Sequence, residues 1–345
     1  MRRLAQLADP YIALLLGTVL LAVLLPADGR VATGLGWGTK AAVGLIFFLY
    51  GARLSTRQTL EGARQWRLQL LVVLCTFAAF PLIGLATRAL VPHVLTPGLQ
   101  AGLLFLCLVP STVQSSIAFT SVARGNVPAA ICAGTCSSLL GMAATPLLAA
   151  WFIGGQAALS VDGLVGIVCQ LLAPFAAGQL LRRWIGGFLT RHHGVLGFVD
   201  RGAVLLVVYA AFSQGMTEGI WGRVTPLRLL ALVGVEGALL ALMLAVTWFG
   251  SRRLGFVRAD RVVAVFAGSN KSLAAGLPMA SVLFGAHASL AVLPLMLYHQ
   301  MQLIVCAFLA RRWAGGGKDV PAAGGDGRGS EDRTGERDRT AARSG

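Results

Sequence analysis

Residues 270–274 read NKSLA, and residues 114–118 read QSSIA, a near-copy that begins 156 residues earlier. Both strings lie in long apolar segments, although each carries an amide and at least one hydroxyl group, and the later one also carries a lysine. Polar, helix-weakening residues at matching places in two halves of a membrane protein indicate the binding site of a transporter. The alternative is a chance resemblance between two short strings, so the rest of the chain has to decide.

The composition places the chain in a membrane. Hydrophobic residues make up 56% of the sequence, charged residues 12%, and the mean hydropathy is +0.73. A soluble domain usually carries about 25% charged residues. The apolar runs reach roughly 20 residues, which is enough for a helix to cross the hydrocarbon core. The net charge of +15 would also suit a nucleic-acid partner. No basic and aromatic reading surface accompanies it, so we predict the lipid bilayer, not a nucleic acid, as partner.

Hydropathy predicts ten membrane-spanning helices in an all-α, polytopic protein. With the N-terminus inside the cell, the cytoplasmic loops hold fifteen arginines and the opposite loops hold five basic residues. This asymmetry follows the positive-inside rule for ten spans with both termini cytoplasmic, in a bacterial-type inner or plasma membrane. The spans lie roughly at residues 11–26, 38–52, 68–87, 98–122, 127–153, 163–181, 202–216, 229–250, 262–283 and 288–310.

The ten spans divide the chain into two halves of five. A transporter domain is predicted at 1–313, with one repeat at about 11–153 and the other at about 163–310. Because each repeat has an odd number of helices, the second enters the membrane from the opposite side, and a site is expected where the copies meet. Residues 314–345 are rich in Gly, Arg and Asp and have little to bury, which predicts a disordered cytoplasmic tail.

Polar residues concentrate in the fourth and ninth predicted spans, where the helices are also expected to break. Pro110 removes a backbone donor and disfavours helix at Val109. Broken backbone at membrane depth leaves carbonyl and amide groups that can bind ions or solutes. Alternatively, the small hydroxyl residues serve only for close helix packing. The candidate binding residues in these spans are Gln114, Ser115, Ser116, Thr120, Ser269, Asn270, Lys271 and Ser272.

Lys271 is the costliest of these residues, because an ammonium near the bilayer centre costs about 2.5 kcal/mol or more. It requires a partner or a cavity. Glu236 is the carboxylate farthest from a membrane face, and an ion pair between the two is one hypothesis. His299 is a further candidate that titrates near neutrality, although a membrane histidine equally often only bonds a neighbouring helix.

Motifs of enzymes are missing from the sequence. It contains no HExxH, GxSxG or GxxxxGK[ST] string. The membrane segments also lack a second deep carboxylate for an acid and base pair. We therefore predict that the protein is not an enzyme and that this chain alone does not carry out ATP-driven transport.

Four strings resemble the bile acid:sodium symporter family, in the branch that contains member seven of human solute carrier family 10. They are NKSLAAGLPM at 270–279, LPLMLYHQMQL at 293–303, GMAATPLL at 141–148 and GQLLRRW at 178–184. The resemblance runs in order over about residues 10–312. It implies ten helices as inverted five-helix repeats, a core and a panel domain, crossing broken helices four and nine, and sodium-coupled uptake of organic anions.

The sodium sites implied by this resemblance are incomplete. Ser116 matches a ligand serine and Asn126 matches the turn that follows the fourth helix, but Ile117 and Phe266 replace an asparagine and a glutamate. Asn270 stands where a glutamine is expected. Three further ligand positions hold Thr76, Ala130 and Gly134.

Lys271 adds a positive charge beside these incomplete sites, so a fixed ammonium is a candidate replacement for one sodium ion. Coupling to protons, to a single sodium ion near Ser116 and Asn270, or to nothing stays open. No other cofactor is predicted, and no oligomeric state is indicated.

Three functional hypotheses follow. The leading one is a secondary transporter of an anionic or amphipathic solute by alternating access. A cation/proton exchanger of similar fold is the first alternative, because that class also uses crossing helices and ionisable residues at the midplane. The other alternative is a membrane protein that regulates ion homeostasis without transport. The identity of the solute is not specified by apolar walls and a few hydroxyl groups.

Overall fold

The structure is a computed structural model that describes residues 10–53, 65–153, 161–217, 219 and 225–315. All regular elements in these ranges are helical, and no strand occurs among them. The helices are α1 (Pro10–Leu24), α2 (Gly29–Arg53), α3 (Trp66–Leu90), α4 (Pro97–Leu108), α5 (Val113–Val122), α6 (Val127–Phe152), α7 (Val161–Arg191), α8 (His193–Thr217), α9 (Pro226–Arg253), α10 (Arg258–Ser269), α11 (Leu273–Phe284) and α12 (Ala288–Gly315).

Six of the described helices are long and apolar enough to cross a membrane, namely α2, α3, α6, α8, α9 and α12. The pair α4 and α5 passes the same test as one span bent by 63°. Large apolar side chains such as Trp151 and Leu180 remain exposed on the outside of the bundle, which suits contact with lipid. The prediction of an all-helical membrane protein is confirmed in this part of the chain.

Several predicted helix boundaries are wrong. Helix α2 begins at Gly29 instead of residue 38. Helix α7 ends at Arg191 and α8 begins at His193, so only one residue separates them. Arginine favours helix, and a charge at a membrane surface does not stop one. Basic residues that we placed between the spans therefore lie in helices: Arg30, Arg182, Arg183, Arg191 and Arg201. Helix α12 continues to Gly315, and the remainder of the predicted tail lies outside the described residues.

The helices pack as two groups. Helix α2 packs against α7 and α8, and α8 also contacts α1, so these four helices form what we call the four-helix group. Helices α3–α6 and α9–α12 pack mainly among themselves and form the eight-helix group. Contacts between the groups include those of α8 with α11 and α12.

Two helices are interrupted, as the sequence predicted. Residues 109–112 separate α4 from α5, and residues 270–272 separate α10 from α11. Val109 and Asn270 have extended backbone, with φ and ψ of −68° and 144° and of −84° and 146°. The helices α4 and α10 end 161 residues apart, at Leu108 and Ser269.

The two strings that suggested the repeat are consequently out of register. NKSLA spans the second break, whereas QSSIA lies within α5, after the first break. The offset of 156 residues between the strings therefore differs from the offset of the interruptions. The sequence similarity led to the two interrupted helices but did not align their interruptions.

Candidate functional site

The two interruptions contact each other inside the eight-helix group. The backbone N–H of Ser272 donates to the carbonyl of Pro110 at 2.9 Å. The Ser111 hydroxyl donates to the carbonyl of Ala267 at 2.6 Å; Pro110, Ser111 and Ala267 are buried, and Ser272 is half-buried. Carbonyl and amide groups freed by one break are thus partly satisfied by the other, which such backbone requires away from water.

Helix α6 completes the hydrogen bonding of the first break. Thr145 Oγ1 donates to the Leu108 carbonyl at 2.8 Å, and Ser137 Oγ accepts from the Ser111 N–H at 2.9 Å. Residues 137 and 145 are eight positions apart, about two helical turns, so they share one face of α6. Our sequence reasoning missed both residues, although their spacing on an apolar helix was a usable signal.

Helix α12 supplies hydrogen-bond partners to the backbone of the second break. The Gln302 side chain accepts from the Lys271 N–H at 2.7 Å through Oε1 and donates to the Lys271 carbonyl at 2.8 Å through Nε2. Tyr298 donates to the Ser269 carbonyl at 2.9 Å. In the sequence, these residues indicated only the resemblance to a family. Their spacing of four residues places them on one face of α12 and was the signal for their role.

Lys271 lies where the two interruptions contact each other, a place we call the crossing, and its side chain is completely buried. Its Nζ donates to the carbonyls of Cys107 and Val109, both at 2.8 Å, and to that of Thr76 at 3.1 Å. It also lies 4.0 Å from the centroid of the Phe80 ring. An ammonium has three hydrogens, so every one of them has an acceptor.

The three acceptors of Lys271 come from irregular places in two helices. Cys107 and Val109 lie at the C-terminal end of α4, where the helix dipole favours a cation. Thr76 lies in the π-helical turn Cys75–Ala79, which interrupts α3. The site is therefore built to hold a positive charge at this point.

The suggested ion pair between Lys271 and Glu236 is not formed, and that hypothesis is wrong for this conformation. Among the described residues, the only ion pair within 4.0 Å joins Arg53 to Asp200. The ammonium of Lys271 donates all three of its hydrogens to backbone carbonyls. Glu236 is 0% exposed, and neither of its oxygens has a hydrogen-bond partner within the described ranges.

Three predicted site residues serve their own helix ends or helices. Asn126 Oδ1 accepts from the Ala129 N–H and caps α6, while its Nδ2 donates to Asp260 at 2.8 Å. Ser272 caps α11, and Ser269 donates to a carbonyl one turn earlier in α10. These contacts stabilise helix ends and helices, and they account for the side chains without a bound solute.

The remaining predicted residues differ in their burial and in their hydrogen bonds. Ser116 is buried and lies 3.4 Å from the Phe266 carbonyl, and His299 Nδ1 lies 2.8 Å from Gln302 Nε2. Gln114 is exposed. In the part of the chain that the structure describes, the buried side-chain atoms without a hydrogen-bond partner include Thr76 Oγ1, Ser115 Oγ, Thr120 Oγ1 and Asn270 Nδ2.

Apolar side chains fill the positions where the resemblance implies sodium ligands. Phe266 packs against Phe119 and Trp313, with ring centroids 5.6 and 5.4 Å away. Ala130 belongs to an apolar cluster with Ile117 packed against it. A sodium ion needs several oxygen ligands to replace its water, and these groups supply none.

An all-helical membrane protein in which two interrupted helices meet at a buried lysine has features of a secondary transporter. Residues 9–315 match the model of the SBF-like CPA transporter family, and the chain belongs to that family. The suspected relationship to the bile acid:sodium symporters is thereby confirmed. Family membership also confirms the prediction of a transporter as opposed to an enzyme.

Curated relatives span nearly the same length. Protein PA2026 of Pseudomonas aeruginosa is 50% identical over 326 residues, which cover 94% of this chain and 98% of that protein. YfeH of Escherichia coli, whose name proposes a symporter, is 44% identical over 90% of this chain and 94% of its own. Sodium/bile acid cotransporter 7 of Xenopus tropicalis is 30% identical over 79% of this chain and 80% of its own.

Replacing Gln302 with leucine is expected to destabilise the crossing. The change leaves the buried N–H and carbonyl of Lys271 without these partners, and each such group costs about 1–3 kcal/mol. We expect the apparent free energy of unfolding in detergent to fall by about 2–4 kcal/mol on this scale. Thermal unfolding of the purified protein measures the change.

Gln300→Leu is the matched control, because Gln300 lies on the same helix and its Nε2 has no partner among the described residues. It should change the stability little. Equal losses in the two variants would contradict the role of Gln302.

Proposed function

We propose that the protein is a secondary active transporter that moves an organic anion-like, amphipathic solute by alternating access. The four-helix and eight-helix groups are the two bodies that move against each other. Support comes from membership of a transporter family and from a relative whose name includes a bile acid. We assign the four-helix group to the panel domain and the eight-helix group to the core domain that the resemblance implies.

The ten spans of this proposal are α1, α2, α3, α4 with α5, and α6, followed by α7, α8, α9, α10 with α11, and α12. In each set of five the fourth span is the interrupted one, with pieces of 12 and 10 residues in the first set and 12 and 12 in the second. This correspondence supports inverted repeats. Basic residues at the ends of α2 and α9 support a cytoplasmic location of both termini in a bacterial-type inner membrane.

The observation that carries the proposed coupling is the ammonium of Lys271 on three carbonyl oxygens. Unwound carbonyls and helix C-termini are the groups with which transporters of this kind bind a coupling cation. Here the chain supplies the positive charge itself, and a second cation would compete for the same oxygens. We propose that Lys271 replaces one coupling sodium ion, so that transport does not require sodium at this position.

Sodium-independent uptake is therefore expected. Proteoliposomes that contain the purified protein should accumulate labelled cholate, an amphipathic carboxylate, equally well when choline replaces sodium outside. Imposed sodium and proton gradients, compared separately, identify any remaining coupling. A sigmoidal requirement for sodium, which indicates two ions per turnover, would contradict the replacement. Protein-free liposomes provide the background.

Glu236 favours a second candidate function, that of a cation/proton exchanger. A buried carboxyl with neither oxygen bonded in the described part of the chain can take up or release a proton without breaking a contact. The same vesicles, loaded with a pH-sensitive dye, test this function. Proton movement driven by a sodium or potassium gradient without organic solute, and lost in Glu236→Gln, would favour the exchanger over the symporter. Absence of any flux would favour the non-transporting regulator.

A further inference from the structure

Helices α7 and α8 form a hairpin that is longer than a membrane requires. Helix α7 has 31 residues and is about 46 Å long, whereas the hydrocarbon core of a bilayer is about 30 Å thick. A helix that enters the core at Val161 therefore leaves it after about 20 residues, next to Arg182. The last turns of α7 and the first turn of α8 then lie at the level of the lipid headgroups.

One face of this hairpin end is occupied by packing against α2. Leu189 is buried and forms an apolar cluster with Leu49 and Ala52, which lie in the last turns of α2. Ile185 of α7 and Leu196 of α8 pack against the same cluster. The hairpin end is thus held in one orientation, so its opposite face is a defined outer surface.

Large aromatic side chains lie exposed at this hairpin end. Trp184 is 62% exposed, Phe188 is 59% exposed, and Phe198 of α8 is 78% exposed in the described structure. Trp184 and Phe188 are four residues apart, so they share one face of α7. At a membrane surface such rings lie at the headgroup level, with their apolar parts towards the acyl chains. Lipid, and not water, is therefore the neighbour that suits these rings.

Uncompensated positive charge accompanies the rings. Arg182 and Arg183 directly precede Trp184, and Cζ of Arg183 lies 3.8 Å from the centroid of the Trp184 ring, in a cation–π contact. Residues 182–199 include three arginines and no acidic residue. Asp200 follows, but it is bound to Arg53 at 3.1 Å, in the only ion pair of the described residues. No carboxylate in this part of the chain therefore neutralises the two adjacent arginines.

We propose that Arg182, Arg183, Trp184, Phe188 and Phe198, which we call the hairpin patch, bind an anionic glycerophospholipid of the adjacent leaflet. The two guanidinium groups hold the phosphate, because their paired N–H donors match phosphate oxygens, and the rings contact the acyl chains. A zwitterionic lipid offsets its phosphate with an ammonium, and a soluble phosphate makes no use of the rings. Binding does not rest on the proposed function; only the assignment to the cytoplasmic leaflet rests on the proposed topology.

Quenching of tryptophan fluorescence by brominated lipids tests the proposal with the full-length protein in phosphatidylcholine vesicles. A rising fraction of the lipid is replaced by brominated phosphatidylglycerol or by brominated phosphatidylcholine. The difference between each protein and its Trp184→Phe form isolates the signal of Trp184. We expect brominated phosphatidylglycerol to quench this signal more strongly at equal fractions. In Arg182→Gln/Arg183→Gln its binding constant relative to phosphatidylcholine should fall at least about tenfold, as for two basic residues at an anionic surface.

Arg252→Gln/Arg253→Gln is the matched control, because these arginines are also adjacent and exposed at the end of a helix but lie in α9, outside the hairpin patch. It should leave the Trp184 signal unchanged. Arg182→Lys/Arg183→Lys, which keeps the charge, should retain most of the preference for phosphatidylglycerol.

Three results would overturn the proposal: equal quenching of Trp184 by the two brominated lipids in wild type, equal effects of the two glutamine variants, or displacement of the brominated lipid by water-soluble glycerol phosphate. The last result would assign the arginines to a soluble anion. Thermal unfolding checks that Arg182→Gln/Arg183→Gln is folded, and the wild-type comparison of the two lipids decides alone if it is not.

Discussion

Replacing Lys271 with methionine is expected to abolish transport and to destabilise the protein by about 3 kcal/mol or more, since removal of one side of a buried charged contact costs about 3–5 kcal/mol. Methionine has a similar length and shape, so the effect isolates the ammonium. Without it, the carbonyls of Thr76, Cys107 and Val109 lose a common donor in a place that excludes water. The end of α4 also loses the cation that complements its dipole.

Two measurements separate the consequences. Thermal unfolding in detergent reports the stability, and uptake of labelled cholate into proteoliposomes reports transport. Lys40→Met is the matched control for stability, because it removes a lysine that is exposed and has no ion pair in the described structure. Wild-type stability and wild-type uptake in Lys271→Met would contradict a central role for the ammonium.

A partial result would be informative as well. If Lys271→Met folds but its uptake has become dependent on sodium, the ion takes the vacated place on the three carbonyls. That outcome would directly support the proposal that the ammonium replaces a coupling cation. A folded variant that fails to transport at every sodium concentration would assign Lys271 a role that sodium does not fulfil.

The interruption of two helices was predictable because local chemistry causes it. Pro110 lacks an N–H and disfavours helix before it, and a cluster of polar side chains around Lys271 is too costly for an unbroken span in lipid. The exact register was not predictable from two strings of five residues. The two strings are similar in their side chains, whereas the position of a helix break depends on the backbone.

The partners of the broken backbone were harder to predict. Thr145 and Gln302 lie 37 and 31 residues from the groups they contact, and a single sequence does not report distances between helices. The pairing of Lys271 with Glu236 failed for the same reason. Charge complementarity suggested two side chains, but three carbonyl oxygens at an irregular helix end satisfy an ammonium equally well. Backbone acceptors carry no signature in the sequence.

Helix ends were also misplaced where arginines occur, since basic residues mark the membrane surface and not the end of a helix. The long helices α7 and α8 therefore contain residues that were predicted to form a loop. Lys40 lies at the edge of the predicted span 38–52, whereas the structure places it well inside α2.

Replacing Gly178 with alanine is the second change with a large expected effect. Helices α2 and α7 touch through their backbones, since a Cβ on Gly178 would overlap the carbonyl of Phe48 and one on Gly51 would overlap that of Phe175. A backbone carbonyl in a packed helix has no alternative position, so the helices must separate. We expect the stability to fall by about 3 kcal/mol, the upper part of the usual range for overpacking.

The sign of the effect distinguishes packing from helix propensity. Alanine is more favourable than glycine in a helix by about 1 kcal/mol, so Gly187→Ala, with no atom within 4 Å of its Cβ, should be neutral or stabilising. Thermal unfolding measures the effect. Equal behaviour of Gly178→Ala and Gly187→Ala would mean that the two backbones are not in contact in the folded protein.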